Sequence, residues 1–393
     1  MKEKEKYVGN AVREENKRKV IKSSVATVII LAVLLGVLLV TGVIEKMTDT
    51  ESLSQGLKEF AGIEDEKTGF PVSFSTNDIV DVGHDGKRFY VLTEKFVTPV
   101  DEKGQTGDAQ HFSYAQGALF AQHGYAAVFD RFSNKYIFID KKGNVQQRTD
   151  ENSDRIYALR VTEKGEVMLS LAGTSSSSML HVTDKKGEDL LLWSCADEYI
   201  VSFDKDGDYI YCAALGAFSG EIYTRIYVLK TGEQEPVFEY TIPAAACIGL
   251  NHISAKKFSV LTKDALYICN SAKEDPLQAK ISFASEISFY DIDSQNNVAV
   301  ICENKENFTQ KLLSVFDSDG KAVYSRSVED NIKDISLNGK EVSLLYDDSV
   351  KTVSSADAQE KQLFFDGRCV GLITVGKKVY CYSLGGVEKA EKE

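Results

Sequence analysis

Proline and tryptophan are scarce in this chain of 393 residues, at 5 and 1. With 28 glycines and 43% hydrophobic residues, the composition excludes a collagen-like or disordered chain, and seven cysteines over this length are no disulfide scaffold. A basic surplus is also missing. Lys and Arg total 46 against 59 Asp and Glu, a net charge of −13, which excludes a nucleic-acid partner because such binding needs cations to displace phosphate counterions. What remains is a folded chain with room for one large or two ordinary domains.

Charge is absent altogether from Ser23 to Ile44, between Lys22 and Glu45. As a helix these 22 residues span about 33 Å, enough to cross a hydrocarbon core of about 30 Å. The run is longer than a cleaved signal's apolar region and ends without a small-residue cleavage site, so it reads as an uncleaved signal anchor. Residues 1–22 hold eight Lys and Arg against four Glu. Basic flanks stay inside, which places the N-terminus in the cytoplasm and residues 45 onward outside the cell membrane. The bilayer is thus the first expected partner. The tail is too short to fold. Residues 45–69 read as a stalk, with a helical stripe of Leu53, Leu57, Phe60 and Ile63.

From about residue 70 to 385 the periodicity is that of strands, with no convincing long amphipathic helix between them. One kind of turn recurs, as at Asp85-Gly86, His123-Gly124, Lys164-Gly165, Asp206-Gly207, Asn338-Gly339 and Val375-Gly376, with Lys257 and Asn297 marking the equivalents that lack glycine. The spacings are 38, 41, 42, 50, 40, 42 and 37 residues. A second turn, Asp-x-x-Gly, falls between them at Asp101-Gly104, Asp140-Gly143, Asp184-Gly187 and Asp317-Gly320. Two interleaved hairpins every ~40 residues make a four-stranded unit too small to bury both faces alone, so copies must stack. The radial solution is an all-β propeller. Seven units fill residues 77–365, and the hairpin Cys369–Ser383 is left over. Joined by the early strand Pro71–Ser75 it makes an eighth, composite blade that closes the ring. Seven blades is the alternative count. Residues 386–393 read as a charged tail.

The strand–Asp-x-x-Gly–strand rhythm of Tyr136–Gly143 and Leu313–Lys321 resembles the repeats of WD40-like and quinoprotein-like propellers. The layout over residues 20–383 is similar to a domain-of-unknown-function family of single-pass, membrane-anchored propeller proteins of Gram-positive bacteria. That resemblance implies shape and location and carries no activity with it. The chain departs from true WD40 repeats in lacking their Trp-Asp closures, and from quinone enzymes in lacking regularly placed tryptophans.

Constellations for chemistry are missing too. The five histidines show neither a helical zinc pair nor a cysteine-paired spacing. No catalytic residue, metal site or cofactor is expected. Ser254–Lys257 and Lys230–Gly232 match penicillin-binding fragments, but in reversed order and in turns. The Asp-rich turns at Asp204–Asp208 and Asp291–Asn296 lack the bidentate Glu of a calcium loop. Most aromatics alternate inside strands. The exceptions lie in loops joining the two hairpins of a unit, and strand parity sets these loops on one face. Arg131, Phe132, Asn134, Phe218, Asn307 and Phe308 are the candidate binding residues. The expected function is a non-catalytic binding or scaffold module for a protein or cell-wall ligand. One alternative is a glycan hydrolase or lyase with carboxylates converging from several blades. The other is a transmembrane sensor signalling through residues 1–22.

Overall fold

A computed structural model describes residues 69–392, apart from 75–77, 113 and 355–359. The apolar run Ser23–Ile44, the basic segment 1–22 expected in the cytoplasm, and residues 45–68 of the expected stalk lie outside the described residues. Among those described, no helix is long and apolar enough to cross a membrane.

Among the described residues, thirty-two strands form eight antiparallel four-stranded sheets. Within each sheet of blades 1 to 7 the strands follow sequence order. These blades begin with inner strands Ile79–His84, Gly117–Gln122, Ile156–Val161, Tyr199–Asp206, Cys247–Ser254, Ile287–Ile292 and Asp334–Asn338. Blade 8 is composite. Its order outward from the centre is Gly371–Val375, Lys378–Tyr382, Gly386–Lys389 and, outermost, Val72–Ser73 from the start of the domain. The eight-bladed count therefore holds, and the early strand closes the ring. Residues 386–389, expected in a tail, instead provide this blade's third strand. Only Val387 of that strand is buried, which is why its sequence carries so little strand signal.

The reason for stacking is visible in the second strand of each blade. Phe89 and Val91 point into the gap with blade 8, while Tyr90 and Leu92 point into the gap with blade 2. A strand covered on both faces must be apolar throughout rather than alternating, as in Ala126–Phe129 and Val298–Cys302. Eight apolar clusters result, one in each interblade gap. All seven cysteines are buried free thiols in these gaps.

Turn chemistry fixes the register. In Asp140-x-x-Gly143 the Asp140 carboxylate accepts N–H bonds from Lys142 at 2.8 Å and Asn144 at 2.9 Å, while Gly143 closes the turn at φ +88°. Where the other turn type lacks glycine, Lys256 and Asn296 take the left-handed conformation themselves, at φ +69° and +61°.

Candidate functional site

Antiparallel strand order places the turns after first and third strands on one face, and the loops after second and fourth strands on the other. The second group carries the sequence-chosen residues. Phe132, Phe218 and Phe308 stand 59%, 77% and 81% exposed, and Leu384 in the corresponding loop of blade 8 is 55% exposed. These four occupy blades 2, 4, 6 and 8. The equivalent loops of blades 1, 3, 5 and 7 carry Glu94-Lys95, the serine run Ser175–Ser177, Lys263-Asp264 and Asp347-Asp348. Among the described residues, eight of the twelve exposed large apolar side chains lie in these loops or within two residues of them, Val80, Tyr199, Ile222 and Val370 being the others.

Each phenylalanine is held out by a buried polar group beneath it. Below Phe132, the Asp130 carboxylate accepts N–H bonds from Phe132 at 3.1 Å, Gln116 at 3.2 Å and Ala115 at 3.3 Å. Burial works against its charge, but these bonds outweigh it and hold Asp130 below the ordinary carboxylate range. Asn134 does not face outward. It exchanges bonds with Asp150, donating from Nδ2 to the carbonyl at 2.8 Å and accepting from the backbone N–H at 2.9 Å. Arg131 is exposed and lies over the Phe129 ring at 6.0 Å, while Arg155 covers Phe132 at 5.6 Å.

Phe218 sits at the tip of a hairpin whose strands, Tyr209–Phe218 and Glu221–Lys230, outrun their neighbours in the sheet. Glu198, 3% exposed, braces its root. The Glu198 carboxylate accepts from Tyr223 Oη at 2.9 Å and Tyr227 Oη at 3.0 Å, and pairs with Arg225 at 3.1 Å. Phe308 projects from a loop tied by Asn304, whose buried side chain accepts from the N–H groups of Glu306 and Asn307 and donates to Ser327. Asn307 is spent locally, accepting from the Thr309 N–H and hydroxyl. Glu198, Asn304, Asp150 and Leu384 were not among the residues chosen from sequence. The bonds that tie them into the blade reach 16 to 29 residues along the chain or into another blade, beyond any local pattern.

The opposite face opens on a central cavity of about 440 Å³ lined by inner strands and their turns. Arg160 donates to the carbonyls of Phe203 at 3.0 Å and Leu250 at 3.3 Å, and to Asn251 Oδ1 at 3.0 Å. The Asp204 carboxylate accepts from His252 Nδ1 at 2.7 Å and from the His252 N–H at 2.9 Å. Burial raises the Asp204 pKa, but His252 and Arg160 outweigh it and hold it low. The Asp204 bond holds His252 above its usual value against burial.

Asp204 is one of a series. From the inner strands of blades 1, 4, 6 and 7, Asp81, Asp204, Asp291 and Asp334 each accept the next residue's N–H and an N–H of the following blade's inner strand. Burial pushes Asp81 and Asp291 up to about 6 and raises Asp334. Because Asp81 and Asp334 repeat the arrangement outside the cavity lining, the carboxylates are staples of the ring. Among the described residues no group of three or more metal-ligating side chains comes together.

The family model for a family of unknown function, DUF5711, matches residues 75–391. This chain belongs to that family. No curated protein matches it. Among solved structures the domain is similar to the computationally designed protein Ika8, at TM-score 0.56 and 13% identity over 83% of this chain and 98% of that one. It is similar also to apo AztD from Citrobacter koseri, at 0.54 and 10% identity over 82% and 97%. BamB from Moraxella catarrhalis follows, at 0.51 and 12% identity over 79% and 96%. At these identities the likeness is one of fold. For this DUF5711 chain, what the fold presents to a ligand is read from its own residues.

Proposed function

We propose that the protein is a non-catalytic binding module. One helix, Ser23–Ile44, holds it in the cell membrane with its N-terminus in the cytoplasm, and the propeller stands outside to recruit a protein or cell-wall ligand through the loop face. The observation that carries this reading is the trio Phe132, Phe218 and Phe308. Each is more than half exposed on a loop fixed from below. Large rings kept in water on ordered loops do nothing for the fold, and their ordering cost is already met before a ligand arrives.

A glycan hydrolase would need two channel carboxylates free for acid and base roles. Both oxygens of Asp204 and of Asp291 are occupied by backbone N–H groups, which takes these two out of such roles and leaves Glu163 and Asp206 of the cavity lining as the carboxylates a hydrolase would have to use. The test is a triple substitution, F132S/F218S/F308S, in the full chain. Crosslinking in native cell envelopes should lose the adducts of the parent protein, while the unfolding free energy changes by no more than about 0.5 kcal/mol per position, as for exposed positions. An unchanged adduct pattern refutes the reading. For location, protease added to intact cells should digest residues 70–389, and protection of that region refutes the outward orientation.

A further inference from the structure

The four apolar tips are distributed around the ring on alternate blades, so one partner that touches them all must be as broad as the face. A peptide lying in a groove would meet one or two. Leaving out the buried Asp150 and Glu198, the sixteen loops on this face hold twelve Asp and Glu against seven Lys and Arg. Lysine is segregated. Four lie in these loops and twelve in the turns of the opposite face, where eighteen Asp and Glu outnumber them, so both faces are acidic and only the loop face is lysine-poor. An acidic, lysine-poor face repels anionic lipid headgroups and cell-wall polyanions and attracts a basic surface.

The described chain also enters on the far side. Gly69 lies against Gly104, where a Cβ would meet the Gly69 backbone at 2.5 Å, and Gly104 belongs to a turn of the opposite face.

We infer that the loop face docks one folded protein with a basic surface, seated across the whole ring and gripped by Phe132, Phe218, Phe308 and Leu384 together. This deepens the binding reading and rests on it. Charge supplies orientation and encounter rate, and the four tips supply apolar burial spread over an interface of standard size, about 800 Å² per side.

The test places a photoreactive phenylalanine singly at Phe132, Phe218, Phe308 and Leu384 of the full chain, with controls at Lys142 and Lys186 on the opposite face. Replacement at such exposed tips leaves the fold intact. Irradiated cells should give one and the same protein adduct from all four tips and none from the controls. The charge variant E306K/D347K/D348K should cut its yield at least tenfold. An adduct from only one or two tips, a phospholipid adduct, or a yield indifferent to charge overturns this inference and leaves the binding reading standing. No adduct from any tip overturns both.

Discussion

His181 is buried between two carboxylates, donating from Nδ1 to Asp150 at 2.5 Å and from Nε2 to Asp189 at 2.9 Å. Both bonds at once require the imidazolium. Burial alone would lower its pKa from 6.5, but the bonds and charges of Asp150 and Asp189 outweigh burial and raise it. Asp150 is shifted the other way. Burial opposes its charge, yet His181 and the Asn152 N–H hold it below 3.8. The stabilisation from the raised histidine is complete below pH 6.5 and disappears as pH climbs through the folded-state value. That from the lowered aspartate is complete above pH 3.8 and disappears as pH falls below it. The network therefore contributes most between about pH 4 and 6.5.

His181→Gln removes the charge and one bond, leaving the buried Asp150 carboxylate without its cation. Breaking a buried pair in this way costs about 3–5 kcal/mol. Urea unfolding of the full chain in detergent at pH 5.5 and at pH 9 should show a large gap between parent and variant at the lower pH and a smaller one at the higher. Because Asp150 also holds Asn134, amide exchange over residues 131–134 should quicken in the variant. A gap below about 1 kcal/mol at pH 5.5, or one independent of pH, would refute the reasoning, since a desolvated ion pair cannot be both that weak and that indifferent to protonation.

Three further outcomes follow from the same geometry. Phe74→Ala, in the buried segment that bonds Gly385 at 2.7 Å, should lower stability by about 3–5 kcal/mol in denaturant unfolding, and a loss under 1 kcal/mol would argue against closure by the early strand. Glu198→Gln should cost about 3 kcal/mol and abolish amide protection over residues 216–223, whereas intact protection would show that the hairpin stands without its brace. Asp291, raised to about 6 from 3.8, adds stability that is complete below pH 3.8 and lost as pH rises through 6, about 3 kcal/mol in all. Asp291→Asn should abolish that part of the decline between pH 4 and 6.5 in thermal unfolding, and an unaltered slope would refute the assignment.

The ring was legible in the sequence because its turns are local. Asp-x-x-Gly and the left-handed glycines bond within four or five residues, so their rhythm survives in the linear chain and gives the blade count. The closing strand could be inferred from a surplus hairpin and an orphan strand. Gly386–Lys389 escaped because an outer strand needs only one buried side chain, Val387, and three polar neighbours hide it. The exposed phenylalanines were legible as aromatics outside strand alternation. Their supports were not. Glu198 finds Tyr227 29 residues on, and Asp204 meets His252 48 residues on, across a blade boundary that only folding brings together.

The outermost strand of blade 8 belongs to the first segment of the domain to be synthesised, and the strand it pairs with belongs to the last. Without residues 386–389 blade 8 loses its third strand, and Val72–Ser73 has nothing left to pair with. Seven sheets would keep every strand, while the eighth would offer the bare edge of Lys378–Tyr382 to proteases. The two ends of the domain thus hold each other, a clasp that fastens only when both are present.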